Sequence, residues 1–345
     1  MMRRALDIAE RGLFTTTPNP RVGCILTQRE EVVGAGWHEK AGAPHAEAVA
    51  LRQAGARAAG ATVYFTLEPC NHQGRTPPCV DALKQAKVAR VVAAMRDPNP
   101  KAARGGHALA ASGLRFESGL MEDEASELNI GFVSRMTRGR PWVRMKIAAT
   151  LDGRTALENG KSQWITSPEA RADGHRWRAR ACAILTGAGT VVADDPRLTV
   201  REVETPRQPL RVVVDSRLET PRGARILKGD RALVFAAKAG ELENADVVAL
   251  PNQSGKVDLP KMLAELARRE INEVHVEAGS RLNASLVREG CVDEFLVYLN
   301  PSFLGDAAQG MLDLPAFASL DERVRLRIVS VDRVGDDLRL LARPA

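Results

Sequence analysis

Cysteine and histidine are scarce in this chain, five and six among 345 residues. An odd handful of scattered cysteines does not suit a disulfide framework. It implies a reducing compartment, so the chain is expected in the cytoplasm. Aromatic residues make up only 4% and form no run on which bases would stack. No apolar stretch approaches the roughly eighteen residues of a membrane span, so no membrane partner is expected. The opening "MMRRALDIAERGL" carries Asp7 and Glu10 and reads as an amphipathic helix; a secretory signal needs a longer uncharged core. Basic blocks are missing too. The formal net charge is +6 and the pI near 9.2, yet lysines and arginines interleave with acids. Nucleic acid is therefore not expected, and an anionic small molecule such as a phosphate explains the excess equally well. There is no internal repeat and no low-complexity segment.

What is present is an alternation of β-rich and helical runs, which predicts an α/β layer fold. "VGCILT" (22–27) and "EVVGAGW" (31–37) read as paired strands. A helix from His45 to about Gly55, a strand at 62–67, a helix from about Pro78 and a strand at 89–95 follow. Helices are expected near 104–113 and from Glu122 to about Met136. The length suggests two domains. "TRGRP" (137–141) interrupts the pattern with glycine and proline, dividing the chain into 1–140 and 141–345. The second part is again α/β, with strands at "VRMKIAA", "AILTGA", "LRVVVD", "ALVFAA", "EVHVEA" and "EFLVYL" and a C-terminal strand pair. Helices are expected after Ser167, Leu259 and Ser280.

The scarce residues cluster. His45 in "PHAEAVAL" (44–51) and Cys70 and Cys79 in "TLEPCNHQGRTPPC" (66–79) offer one imidazole and two thiols. A hydrolytic zinc site needs three protein ligands and an open position for water. Each of the three stands near an expected helix start, which favours thiolate, the form that binds metal. Pro77-Pro78 pre-set the backbone before Cys79. Glu47 is poorly spaced to share the helical direction of His45, but it lies in the same first turn. Zinc lowers the pKa of a bound water from about 15.7 towards 7, and a neighbouring carboxylate can move that water's proton to a leaving amine. Singly, His45 would be a surface residue and the cysteines core fillers. As a set in this order, they read as a metal site. Cys24, Cys182 and Cys291 lack partners of this kind and read as packing.

H-x-E followed by P-C and a second cysteine is the signature of zinc nucleobase deaminases. Here eight residues separate Cys70 from Cys79 where two are usual. That longer loop, with "TTTPNPRVGC" (15–24), resembles the bifunctional riboflavin-biosynthesis family. Its members join a diaminohydroxyphosphoribosylaminopyrimidine deaminase to a 5-amino-6-(5-phosphoribosylamino)uracil reductase, and in them the long loop is the normal form. The resemblance continues in "KIAATLDGRTA" (146–156), "SQWITS" (162–167), "TGAGTVVADDPRLTVR" (186–201), "VVVDS" (212–216) and "VEAG" (276–279). It implies a cytidine-deaminase-like α/β/α layer domain followed by a dihydrofolate-reductase-like α/β domain using NADPH. It also implies a phosphorylated pyrimidine substrate and a homo-oligomer, dimer or tetramer, formed through the reductase halves. One Zn2+ per chain would lie on His45, Cys70 and Cys79, with Glu47 as proton shuttle. Asn19, His72 and Arg75 would hold the pyrimidine or the ribose phosphate.

In "WVRMKIAA" the apolar Val143, Met145 and Ile147 alternate with Arg144, Lys146 and Ala148. Lys146 is thus either a solvated strand lysine or a cleft residue. The resemblance gives it a part in orienting substrate or placing charge near the reacting carbon. "EVHVEAGSRLNASL" (273–286) reads as strand, glycine and a helix start whose free amides suit a phosphate. Ser216 and Arg217 follow a strand and suit the cofactor's 2′-phosphate. Carried over motif by motif, NADP contacts fall on Ala148, Trp164, Thr190, Asp194, Ser216, Gly279, Ser280, Arg281, Leu282, Asn283, Ala284 and Ser285. Substrate contacts fall on Ser162, Arg178, Leu198, Arg201 and Glu277. Arg178 and Arg201 make sense as phosphate holders, whereas Trp164 has core burial as its plainer alternative. Asp194-Asp195 is not read as a metal pair. Two rivals stand beside this reading. A tRNA or nucleoside deaminase with an appended domain would share only the zinc motif. A purely structural zinc would need a fourth ligand, for which His72 is the nearby candidate.

Overall fold

From Met1 to Gly139 the chain runs α1 (Met2–Ala9), β1 (Gly23–Gln28), β2 (Glu31–Trp37), α2 (Ala46–Ala54), β3 (Thr62–Phe65), α3 (Cys79–Gln85), β4 (Arg90–Ala93), α4 (Gly105–Ala111), β5 (Arg115–Ser118), α5 (Glu122–Leu128) and α6 (Ile130–Arg138). The structure, a computed structural model, describes residues 1–72 and 78–345. Met2, Ala5, Leu6 and Ala9 are the buried residues of α1, the spacing of one apolar helical face. The five strands form one sheet in the order β2-β1-β3-β4-β5, antiparallel up to β3 and parallel beyond it. Helices cover both faces. A side chain at Gly23 would strike Ala5 of α1, and one at Gly36 would strike the Ala46 carbonyl of α2. Gly36 pairs with Cys24, whose side chain points opposite to that of Gly23, so α1 and α2 lie on opposite sides of the sheet. The unit is an α/β/α sandwich.

Two features depart from the sequence reading. The single helix expected from Glu122 to Met136 is two, because Asn129 leaves helical geometry at φ −109° and ψ 21°. Its buried amide accepts the Arg21 N–H at 2.7 Å and donates to the Arg21 carbonyl at 2.9 Å. This long-range pairing outweighs local helix continuity. Strand β5 was not expected either; its sequence, RFES, is short, polar and half exposed, so it has no alternation to read.

From Arg140 to Ala345 the strands are β6 (Trp142–Thr150), β7 (Arg154–Ala156), β8 (Ala183–Gly187), β9 (Leu210–Val214), β10 (Ala232–Ala236), β11 (Ala245–Ala249), β12 (Glu273–Val276), β13 (Glu294–Asn300), β14 (Gln309–Gly310), β15 (Leu326–Val334) and β16 (Asp337–Pro344). The helices are α7 (Pro168–Arg180), α8 (Ala188–Asp194), α9 (Leu259–Arg268) and α10 (Ser280–Arg288). Nine strands make one sheet, β11-β10-β9-β8-β12-β6-β13-β16-β15. Seven run parallel, and the hairpin β15–β16 closes one edge antiparallel. Ser167 caps α7 by accepting the Ala170 N–H, with Pro168 at its first position. Helix α8 and strand β11 were not anticipated: α8 is a seven-residue segment containing a glycine, and β11 is an edge strand with mixed exposure.

Lys146 and its strand show why periodicity alone left two readings open. The face opposite Val143, Met145 and Ile147 is not solvated. Arg144 is fully buried there, bonded to Glu294 and, at 3.1 Å, to Glu273. Its guanidinium lies 4.4 Å from the centre of the Trp177 ring. Arg343 and Arg180 satisfy the same two carboxylates from outside, at 2.8 and 2.7 Å. Taking away the central cation takes from two buried acids the partner they share and leaves each with one peripheral arginine. Arg144→Met is therefore expected to destabilise this unit by about 3–5 kcal/mol, read as a lowered urea midpoint.

Candidate active sites

Helix α2 begins one residue after His45, which caps it in an extended conformation with φ −70° and ψ 159°. The two-residue spacing to Glu47 is therefore not a helical one. The extended cap turns the imidazole toward the carboxylate, leaving Nδ1 3.8 Å from Glu47 Oε1. Cys79 opens α3 directly after Pro78. Cys70, expected near a helix start, instead lies in the loop after β3, where its carbonyl accepts the Val80 N–H at 3.3 Å. Pro77 and Arg75 lie outside the described residues.

His45, Glu47, Cys70 and Cys79 bring one ligand atom each within 4.8 Å of one another, the one such cluster among the described residues. The sulfurs are 3.1 Å apart and unlinked, and His45 Nδ1 stands 3.1 Å from Cys79 and 3.8 Å from Cys70. An imidazole and two thiols at such separations suit one zinc ion. Burial, then the Glu47 carboxylate, pushes the Cys70 thiol up to about 12, so a thiolate here requires a cation. Both Glu47 oxygens are buried without a hydrogen-bond partner among the described residues, and burial lifts the group to about 7. Buried polar atoms of this kind call for a partner. The donor set and the orphaned carboxylate together fit a metal with a water or substrate beside it. His72 is exposed and outside the cluster, so it does not close the site as a fourth ligand.

Asn19 is drawn to this centre. Its amide Nδ2 lies 3.0 Å from His38 Nε2, His38 Nδ1 lies 3.1 Å from the Pro44 carbonyl, and the His38 ring packs edge-on against His45 at 5.6 Å. His38 was missed in the sequence, although its scarcity and its place just beyond β2 were signals. Glu68 was missed as well. Buried two residues before Cys70, it accepts the backbone N–H of Gly106 at 2.8 Å and of Asp97 at 3.1 Å, tying the Cys70 loop to α4.

In the Arg140–Ala345 unit a cavity of about 1630 Å³ opens at the C-terminal ends of β6, β8, β9 and β12, where parallel α/β sheets bind ligands. Lys146, Ala148, Ser162, Trp164, Arg178, Thr190, Asp194, Leu198, Arg201, Ser216, Glu277, Gly279, Ser280, Arg281, Leu282 and Asn283 all line it. Ala284 and Ser285 do not. Ala284 is buried against the core, and the Ser285 hydroxyl donates back to the Arg281 carbonyl at 3.1 Å. Single-ligand pockets run to about 300–1,000 Å³, so the volume accommodates a dinucleotide and a second molecule. Helix α10 starts at Ser280 without a side-chain cap, leaving its first amides to the cavity. Trp164 is 69% exposed beneath the Arg171 guanidinium, which rules out core burial. Arg178, expected as a phosphate holder, is already engaged within the chain. It forms a bidentate pair with Glu277, with Nη2 to Oε2 at 2.8 Å, and donates to the Thr199 carbonyl at 3.2 Å. Burial lowers the Lys146 ammonium pKa while Glu277 opposes the shift. Ser216 is partly engaged, accepting the Val257 N–H at 3.1 Å. Arg217 pairs loosely with Glu219 at 3.5 Å.

Comparison with known proteins joins the two sites. The model of the cytidine and deoxycytidylate deaminase zinc-binding region matches residues 1–95, and that of the RibD C-terminal domain matches residues 141–340. The riboflavin biosynthesis protein RibD of Escherichia coli is 45% identical over 98% of this chain and 97% of its own. This chain belongs to the RibD family. Its Haemophilus influenzae member is 42% identical, covering 99% of this chain and 96% of the relative. The solved structure of Acinetobacter baumannii RibD superposes with a TM-score of 0.93 at 41% identity, covering 100% of this chain and 98% of that one. A Thermotoga maritima deaminase/reductase superposes with a TM-score of 0.90 at 31% identity, covering 100% and 97%. Membership makes the chain a bifunctional deaminase and reductase of riboflavin biosynthesis, with a zinc-binding deaminase domain and an NADPH-dependent reductase domain.

Close backbone packing holds the Cys70 loop of this family member in place. A side chain on Gly105 would sit 1.8 Å from the Pro69 carbonyl oxygen, so α4 must shift or push the loop. Gly105→Ala is expected to cost about 1–3 kcal/mol of stability and to loosen metal binding, checked by denaturant unfolding and competition with a zinc chelator.

Proposed function

We propose that residues 1–140 deaminate 2,5-diamino-6-(5-phosphoribosylamino)pyrimidin-4(3H)-one and that residues 141–345 then reduce its ribosyl group to a ribityl chain. The observation that carries the first half is a buried Glu47 carboxylate with no hydrogen-bond partner among the described residues, beside three zinc-ligand atoms. His45, Cys70 and Cys79 hold the ion. When bound, zinc supplies the Lewis acid that makes water a nucleophile near neutral pH. Glu47 takes a proton from the attacking water and returns it to the amine leaving C2, and its upward-shifted pKa suits both directions of transfer. Asn19, His72 and Arg75 hold the pyrimidine or the ribose phosphate.

In the second half NADPH supplies the hydride, held by Ala148, Trp164, Thr190, Asp194, Ser216 and the segment Gly279 to Asn283. The open amides of α10 suit one of its phosphates. Lys146 and Glu277 flank the reacting end of the substrate, with Ser162 and Leu198 beside them. Arg201, the more exposed arginine, takes the phosphate, while Arg178 presents Glu277 in one orientation. The rest of the reading is a cytoplasmic enzyme without nucleic-acid or membrane partners, which follows the composition, working as a homo-oligomer, which follows the family. No helix among the described residues is long and apolar enough to cross a membrane. Edge strand β15 supports self-association, for Leu326, Ile328, Val329 and Val331 are all exposed there.

Incubated with zinc and substrate but no NADPH, the protein is expected to release ammonia and accumulate the deaminated, unreduced compound. Zinc-loaded Glu47→Gln should lose about 10²–10⁴-fold in that release; undiminished release would remove Glu47 from the mechanism. Replacing Ile328 and Val331 together by Arg should lower the molar mass seen by light scattering.

A further inference from the structure

Helix α7 turns one face to the reductase cavity, and Arg171, Gly174, His175 and Arg178 line it at helical spacing. Of these, His175 has no part in the reading above. Its side chain is 6% exposed, and its Nδ1 accepts the backbone N–H of Arg201 at 3.3 Å. An accepting Nδ1 carries no proton. Nε2 faces Glu202 Oε1 at 4.0 Å and Arg201 Nη2 at 3.5 Å. The neighbouring Val200 is held through both backbone groups by the Gln208 side chain, at 2.8 and 3.1 Å, so His175 adds the hold at Arg201 itself, whose guanidinium also reaches Thr199 at 3.3 and 3.4 Å.

We propose that His175 is a positioning residue of the reductase site: its unprotonated Nδ1 anchors the Arg201 backbone so that the Arg201 guanidinium stands ready for the substrate's phosphate. The proposal rests on the reading of Arg201 as phosphate holder. The charged surroundings favour the neutral ring. Arg178 from its own helix and Arg201 from the opposing segment face it as cations, while Glu202 and, from the end of β12, Glu277 act against them. Burial first, and then the two arginines, push the imidazole down to about 4. A protonated ring would both lose the acceptor and add a third positive charge.

Steady-state reduction by the full-length, zinc-loaded protein tests this, with saturating NADPH and either the deaminated phosphorylated intermediate or its dephosphorylated form. His175→Phe, or His175→Leu should the ring not be accommodated, is expected to raise KM for the phosphorylated compound about tenfold, the worth of one lost hydrogen bond. The value of kcat, the KM for NADPH and the KM for the dephosphorylated compound should stay within about twofold. His175→Asn, whose carbonyl oxygen replaces the acceptor, should restore most of the loss. An unchanged KM in folded His175→Phe and His175→Leu, beside a raised KM in Arg201→Ala, overturns the role of His175 and leaves the phosphate reading standing. If Arg201→Ala leaves KM unchanged, the phosphate reading itself falls. Equal losses for both substrates and for NADPH mark a merely structural residue and also overturn the proposal.

Discussion

Glu47 sits out of water with both carboxylate oxygens unpaired among the described residues, and the N-terminal unit is arranged around that unsatisfied demand. An isolated buried carboxylate is costly, so either its pKa rises or a partner arrives. The adjoining imidazole and two sulfurs bring the partner, because a cation on them answers both the thiols and the acid. The backbone is shaped to keep this geometry. An extended residue caps α2 so that His45 and Glu47 face one point, and α2 lies so close to β2 that Gly36 has no room for a side chain. Removing any one of these constraints separates donor atoms that chain order keeps far apart.

The reductase unit solves a similar problem with more charge. Acids and bases lie out of water in matched sets along its strands: Arg144 with Glu273 and Glu294 where β12 and β13 begin, and Arg178 with Glu277 at the cavity. Fully paired, such groups stay charged and rigid; left half-paired they would be expensive. Arg207 extends the scheme by capping the end of α7, donating to the carbonyls of Ala179 and Ala181 at 2.9 Å each. Helix α7 thereby carries Arg178 and its neighbours to the cavity on a fixed support, as precise positioning requires.

Much of this was legible beforehand because the relevant signals are local. Strand alternation, the Ser167-Pro168 helix start and the pairing of two scarce residue types around a proline-rich loop are all short-range patterns. The elements that escaped notice were those whose identity depends on distant partners. Asn129 ends a helix because of Arg21, more than a hundred residues away in the chain. Strand β5 is a strand because β4 offers it an edge. His175 could have been noticed, since it stands one turn before Arg178 on a predicted helix, but nothing local distinguished it from a solvated histidine.

The order of residue types determined the family, the metal donors and the α/β class, since ligand chemistry and hydrophobic period are properties of the chain read one segment at a time. Tertiary structure decided the states of those residues: that Lys146 faces a cavity, that Trp164 is exposed, that Arg178 is already spoken for by Glu277. Protonation, orientation and availability depend on which groups meet across the sheet and on how much water they keep, and folding alone sets both.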